Sequence, residues 1–270
     1  MARRYRRPVR RLAACAVLLA SLTACRAHTV AIAFRPEVGA TFRYEVRVRA
    51  TTTTTLEGRE PDRRDEEVRL IAEHTVLEAG PSGVRVRVLV GEASTVAEEF
   101  IVQFNRAAQL ESIEAAEGTP AEIIGALGVP EIFPGGAGGP PARRLAPGDE
   151  WSVDRLISVP GASEPSRLRV RGRLRELGLA GDEEVARLRS TTELPSSTIA
   201  PTAQGFVVLD GHQRIEQSAT YDLDDGAVRT VRATTTGQFD IEVQPPFGTI
   251  ADPVPGTLEV RVTSHTRRLG

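Results

Sequence analysis

The stretch TFRYEVRVRA, residues 41–50, alternates apolar and charged side chains with a period of two. In an extended strand, successive side chains point to opposite faces. Its apolar residues therefore share one face: Phe42, Tyr44, Val46, Val48 and Ala50. The arginines and the glutamate between them share the other face. One apolar face and one solvated face are typical of an antiparallel sheet.

The same alternation recurs along most of the chain, for instance in GVRVRVLV (83–90) and SRLRVRGRLRE (166–176). Turn-forming residues separate the runs at 79–83, 179–182 and 222–226. Strands of about ten residues twist and curl in an open sheet. The sequence therefore predicts a mainly β protein, a curled antiparallel sheet or half-barrel. The other positions that face inward are Val84, Val86, Val88, Val90, Leu168, Val170, Leu174, Val231, Ala233, Phe239, Ile241, Val243, Leu258, Val260 and Val262.

One segment reads as a short helix, near residues 119–128. Thr119 has the position of an N-cap, Pro120 that of the first helical residue, and Gly128 that of a stop. Its apolar residues are expected to face one partner, filling or covering the concave sheet: Ile123, Ile124 and Leu127.

Two parts of the chain share a pattern that suggests a duplicated meander. Gly39 and Gly148 each stand three residues before an aromatic residue at the start of a strand. A long hairpin follows in each part, at 65–92 and 166–193, and then an aromatic residue with a polar turn. The GGAGGPP-containing stretch 135–147 reads as a flexible loop between the halves. We expect a first half at 29–134 and a second at 148–268, packed as one domain.

The N-terminus has the three parts of a secretory signal. Six arginines and no acid precede Leu12, and residues 12–24 form an uncharged, mostly apolar run too short to span a bilayer. The tetrad Leu-Thr-Ala-Cys that ends at Cys25 resembles the bacterial lipobox. This resemblance implies cleavage after residue 24 and acylation of Cys25, with 25–28 as a short tether. It places the protein on the extracytoplasmic face of the cell membrane; the alternative is a plain signal peptide with a chance cysteine.

The charge balance argues against nucleic-acid binding. The chain of 270 residues has 34 basic and 36 acidic residues, but six of its arginines lie in the predicted signal. The remaining 246 residues then have a net charge of −8, which repels phosphate backbones. The absence of lysine excludes Schiff-base chemistry, Ser-x-x-Lys acyl enzymes and a phosphate-binding P-loop lysine.

No pattern of catalytic or metal-binding residues is present in the sequence. The four histidines are far apart: His28, His74, His212 and His265. The two cysteines, Cys15 and Cys25, belong to the predicted signal and anchor, so neither is available for a zinc site or a nucleophile. We therefore expect no cofactor, no metal and no enzymatic activity.

The strand-rich body, the lipobox and the segment 119–128 together resemble the half-barrel lipoproteins of the LolA and LppX type, and other exported bacterial lipoproteins. In that group the concave sheet carries or senses a lipid, or contacts another envelope protein. The resemblance implies an apolar, lipid-like ligand held by inward-facing residues: Phe42, Tyr44, Ile123, Ile124, Leu127 and Phe239. The alternative is a structural or protein-interaction lipoprotein of the cell envelope with a filled core.

Overall fold

A computed structural model describes residues 28–91, 98–107, 109–117, 138–157, 166–202, 205–245 and 252–270. Within these ranges the protein is all-β. The predicted helix near 119–128 lies outside the described residues. The eleven strands are β1 (Thr41–Leu56), β2 (Asp62–Gly80), β3 (Gly83–Gly91), β4 (Glu98–Phe104), β5 (Leu110–Glu117), β6 (Glu150–Ile157), β7 (Ser166–Ala180), β8 (Glu183–Thr202), β9 (Gly205–Asp222), β10 (Val228–Gln244) and β11 (Val254–Leu269).

All eleven strands form one antiparallel sheet in the order β5-β4-β3-β2-β1-β11-β10-β9-β8-β7-β6. The first and the last strand of the chain, β1 and β11, are paired in its middle. From there two meanders run in opposite directions, and their edge strands β5 and β6 approach each other. The sheet is thus a nearly closed barrel, which confirms the predicted curled antiparallel sheet.

The register confirms which side chains face inward. Val46 of β1 lies opposite Leu70 of β2 and Thr266 of β11, and all three are buried. Alternate residues, such as Arg47 and Arg69, lie opposite each other on the outer face. The period-two pattern that starts in residues 41–50 therefore assigns the two faces of the central strands correctly.

Matched backbone contacts show that the meander is duplicated. Gly39 and Gly148 both have a positive φ, 86° and 96°, immediately before their strands. The amide of Gly39 donates to the carbonyl of Val76 over 2.9 Å, and the amide of Gly148 donates to the carbonyl of Leu174 over 2.7 Å. Just beyond each acceptor residue, β2 and β7 carry an irregularity of register. Strands β1–β5 and β6–β10 are therefore two copies of one unit, with β11 between them in the sheet.

The two copies also share a turn. Asn105 closes the β4–β5 turn through a backbone hydrogen bond of 2.9 Å to Gln109, and Asp222 closes the β9–β10 turn in the same way to Ala227. In both turns the side-chain oxygen of the first residue accepts an amide two residues later, at 2.9 and 3.0 Å. An Asx turn of this kind fixes the reversal, so the aromatic-plus-polar-turn motif of the sequence has a structural role.

The barrel has two different ends. The base is the end that holds the turns at 81–82, 105–109, 181–182 and 223–227, together with the first described residue, His28, and the C-terminus. The distal end is the opposite one, where the longer strands β1, β2 and β8–β11 continue beyond the short β3–β6. The main core lies toward the base, where the fully buried side chains include Val46, Val76, Phe100, Leu174 and Tyr221.

Candidate functional site

Phe42 and Tyr44, two of the predicted ligand-binding residues, lie in the filled core near the base. The ring of Phe42 is 6.0 Å from that of Phe34, and the guanidinium of Arg268 lies 4.7 Å from its centre. The ring of Tyr44 is 5.0 Å from that of His74. Burial raises the pKa of the Tyr44 hydroxyl well above its ordinary value, against a smaller lowering by Arg268. Both side chains contribute to packing at this end.

The segment before β1 closes the base over these rings. Val30 and Leu145 exchange two backbone hydrogen bonds, of 2.9 and 2.8 Å, and the amide of Phe34 donates to Arg106 over 2.8 Å. The side chains of Ile32 and Phe34 are buried among the core residues. Because the protein's own chain occupies this end, Phe42 and Tyr44 form part of the filled core.

Phe239 lies far from the other two aromatic residues. Phe239 pairs with Leu258 of β11, which in turn pairs with Thr54 of β1. Thr54 is twelve residues from Phe42, or about 40 Å along the strand. Its ring packs over Gly237, where an added Cβ would lie 2.7 Å from the ring. The structure therefore brings Phe42 and Tyr44 together and separates them from Phe239.

A second group of apolar side chains surrounds Phe239 on the inner face of β1, β9, β10 and β11. Most of them are half-buried, whereas Phe239 and Ile241 are buried, and none except Val260 packs against the main core. We call this surface the distal apolar strip: Leu56, Val207, Leu209, Phe239, Ile241, Val243, Val254, Leu258 and Val260. Five of its residues are ones that the sequence predicts to face inward: Phe239, Ile241, Val243, Leu258 and Val260.

The remaining predicted site residues, Ile123, Ile124 and Leu127, lie outside the described residues, as does Cys25. Their assignment to a ligand site or a lipid anchor stays a prediction.

Gln109 connects the two edges of the sheet, a role that the sequence did not reveal. It stands just before β5, and its Nε2 donates to the carbonyls of Gly139 and Pro140 over 3.0 and 2.8 Å. Its Oε1 accepts from Arg155 of β6 over 3.0 Å and from Asn105 over 2.9 Å. One buried amide thus ties together the β4–β5 turn, β6 and the segment that leads into β6.

Arg155 is a charged residue on the inner face. In EWSVDRLI, period-two alternation places it with Trp151 and Val153, opposite Leu168 of β7. Burial lowers the pKa of its guanidinium to about 10, against an opposing effect of Glu111. An arginine at a position where the alternation predicts an inward-facing apolar residue was the signal in the sequence that could have revealed this contact between β6 and the β4–β5 turn.

Part of the interior is polar and is filled by the chain itself. Ser190, Gln217 and Ser264 are buried at one level of β8, β9 and β11. Gly138 lies so close to Ser190 and Gln217 that an added Cβ would collide with both side chains. Gly138, Gly139 and Pro140 are buried, so the described end of the Gly/Pro-rich loop occupies space inside the barrel.

Several buried polar atoms on the inner face have no hydrogen-bond partner among the described residues: Trp151 Nε1, Gln217 Oε1, Thr235 Oγ1 and Thr266 Oγ1. A buried polar group without a partner is costly, so such groups mark space suited to water or another polar group. The interior therefore changes from polar in the middle to apolar at the distal end.

Within the described part of the chain, no group of three or more histidine, aspartate or glutamate side chains is placed to hold a metal ion. His74 is buried beside Tyr44, whereas His212 and His265 lie on the outer face. The described residues also include no helix with the length and apolar character needed to cross a membrane.

Comparisons with known proteins give no family for this chain. No family model matches it, and no curated protein is significantly similar to it. Its function is therefore argued from the barrel alone.

Proposed function

We propose that the protein is an exported, membrane-anchored lipoprotein that binds an apolar, lipid-like ligand along the distal apolar strip. The observation that carries this proposal is the strip itself, nine apolar residues on one inner face, of which only Val260 packs against the main core. Contiguous apolar surface of this kind, where it is left half-exposed, commonly marks a ligand or partner site. The role is one of binding, without catalysis.

The position of the strip bears on where the ligand comes from. The described chain begins at the base, and Cys25 precedes His28 by three residues, a reach of about 10 Å. An acylated Cys25 would therefore hold the base close to the bilayer, with Phe239 about 40 Å further out along the strands. The strip would then receive a ligand from the envelope space or from a partner protein, and not from the anchoring bilayer.

A second candidate function is a structural or protein-interaction role in the cell envelope. It is favoured by the filling of the interior, where the protein's own Phe34, Gly138 and Pro140 are buried. In this case the distal strip would contact another envelope protein and no small ligand.

Native mass spectrometry of residues 26–270, which contain the whole described barrel, separates the two functions. We expect a bound mass that organic extraction releases as a lipid. Leu258→Glu places a charge in the strip and should abolish loading, whereas Leu156→Glu, at an outer position that is 63% exposed, should not. A protein that stays free of ligand after incubation with membrane extract would refute the ligand proposal and favour the protein-interaction role.

Metabolic labelling with an alkyne fatty acid tests the anchor. Cys25→Ser should abolish the label and release the protein from membranes, whereas the matched control Cys15→Ser should keep both. Labelling that survives Cys25→Ser would contradict the lipobox assignment.

A further inference from the structure

A groove of about 410 Å³ on the outer face, across β7–β11, is lined by basic side chains and hydroxyls. Its basic residues are Arg175, Arg187, Arg232 and His265. The outer groove, as we call it, lies on the opposite side of the sheet from the distal apolar strip, because its residues alternate with the inward-facing ones.

The basic residues of the outer groove are only partly neutralised. Glu176 is the one carboxylate in its lining, and it already forms an ion pair with Arg187. Among the described residues, neither Arg175 nor Arg232 has an ion-pair partner. Within the described part of the chain, the groove thus holds two arginines that form no ion pair.

His265 lies between two arginines across the strands here. Arg47 of β1 lies opposite His265 of β11, which lies opposite Arg232 of β10. Glu45 lies one row away and is shared by three arginines, with Arg47 and Arg267 each at 3.0 Å and Arg69 at 2.7 Å. Glu45 thus neutralises the arginines around it, whereas none of the described carboxylates forms an ion pair with Arg232.

The environment of His265 reports the local positive potential. Its pKa is lowered first by burial and then by Arg232, Arg47 and Arg267, while Glu45 acts weakly in the opposite direction. An anion bound beside the imidazole would favour the protonated form and raise this pKa.

The duplication supplies an internal comparison. In the first copy Glu78 and Arg85 form the ion pair that Glu176 and Arg187 form in the second. Four other positions of the groove differ between the copies. The second copy has Arg175, Ser218, Thr230 and Arg232, and the first copy has at the equivalent positions, in the same order, Leu77, Ile101, Ser112 and Ala115. The fold therefore needs the Glu–Arg pair in both copies but does not need the unpaired arginines.

Two backbone irregularities lie at the walls of the groove. Arg175 is the extra residue of the β7 irregularity, because Leu174 pairs with Leu188 while Glu176 pairs with Arg187. A second irregularity, between Val228 and Thr230, lies at the other wall. The first copy carries the matching irregularities, at Leu77 and between Leu110 and Ser112, so the bulges belong to the fold, and what distinguishes the second copy is the arginine at position 175.

We propose that the outer groove binds a phosphate-class oxyanion, with Arg175 and Arg232 pairing with its charge. His265 and the hydroxyls of Ser218, Thr220 and Thr230 would donate hydrogen bonds to its oxygens. Ser218 lies four residues from the base end of β9, or about 13 Å. The oxyanion is thus either a free phosphate or the phosphate of a lipid headgroup, and the site does not depend on the distal apolar strip.

Histidine NMR of residues 26–270 tests the site with inorganic phosphate as the probe. At constant ionic strength, phosphate should raise the pKa of His265 saturably, whereas chloride should not. His212, which is exposed on the same outer face, is the internal reference. Equal responses of His265 and His212, or equal effects of phosphate and chloride, would overturn the proposal.

Arg232→Gln and Arg175→Gln should each weaken phosphate binding about tenfold, since each removes a charge-assisted contact. The control is Arg63→Gln, which removes one exposed positive charge near the distal end of β2 and should leave binding unchanged. If all three variants bind alike, general surface charge explains the effect and no site exists.

Vesicle flotation identifies the source of the phosphate. The site binds anionic headgroups if the protein floats with phosphatidylglycerol vesicles but not with phosphatidylcholine vesicles. In that case Arg232→Gln should abolish flotation, and inorganic phosphate should compete with the vesicles. A saturable His265 response without flotation assigns it to free phosphate. Flotation that Arg232→Gln does not change, without a His265 response, would contradict the proposal.

Discussion

Gln109→Ala should destabilise the barrel more than any surface change, because this one side chain connects both edges of the sheet. The substitution removes the donor to the carbonyls of Gly139 and Pro140 and the acceptor for Arg155 and Asn105. Gln109 is only 6% exposed, so water cannot readily replace these contacts.

The size of the effect follows from the contacts. Each buried carbonyl that loses its donor costs about 1 kcal/mol, and the charge-assisted contact of Arg155 contributes about 2 kcal/mol. We therefore expect a loss of about 4 kcal/mol in the free energy of unfolding, a large part of the total stability of a typical domain. Gln238→Ala, the same change at an exposed outer position, should cost about 0.5 kcal/mol or less.

The assay is urea unfolding of residues 26–270 followed by fluorescence. Trp151, the single tryptophan of the chain, lies opposite Gly172 on the inner face and packs against it, on the same strand and face as Arg155. It therefore reports directly on the opening of this edge. Arg155→Met in both backgrounds completes a double-mutant cycle, which should show a coupling of about 1 kcal/mol or more. Equal losses for Gln109→Ala and Gln238→Ala, or full additivity, would refute the role of Gln109.

Three further predictions concern glycine, tyrosine and glutamate. Gly226→Ala should lower the melting temperature far more than Gly181→Ala: both glycines have φ near 70°, but only at Gly226 would a Cβ overlap the N-terminal segment. Burial raises the pKa of Tyr44 and Tyr221, so the free energy of unfolding should fall above about pH 10 by about 1.4 kcal/mol per pH unit for each tyrosine. Phenolate absorbance should then appear only when the protein unfolds, and gradual titration of the folded protein would contradict this. The pKa of Glu45 is lowered, chiefly by its hydrogen bond to Arg47, so its contribution to stability is present above about pH 4.5 and is lost as the pH falls. Glu45→Gln should therefore make the free energy of unfolding in urea depend less on acid pH. An unchanged pH dependence would count against this role of Glu45.

The strands and their faces were predictable because the inner face is apolar and the outer face is charged. In residues 41–50 a slip of one position would bury the charged residues, so the sequence permits a single register. The duplicated meander was also detectable, since Gly39 and Gly148 occupy a conformation that favours glycine at equivalent positions.

The closure of the barrel could not be predicted in the same way. It depends on hydrogen bonds between residues far apart in the chain, such as that of Gln109 with Arg155 and that of Val30 with Leu145. No local pattern encodes such pairs. For the same reason the sequence grouped Phe42, Tyr44 and Phe239 as one ligand site, although about 40 Å of strand separates the first from the last. Periodicity assigns a face to a residue but gives no position along the barrel.

The duplicated copies help to separate what the fold requires from what it leaves free. Features present in both copies have a structural explanation, including the positive-φ glycines, the Asx turns and the Glu–Arg ion pairs. Arg175 and Arg232 have no counterpart in the first copy and no ion-pair partner in the described structure. Because the two arginines line one groove in one copy alone and the fold does not require them, their presence is best explained by an anion that binds there.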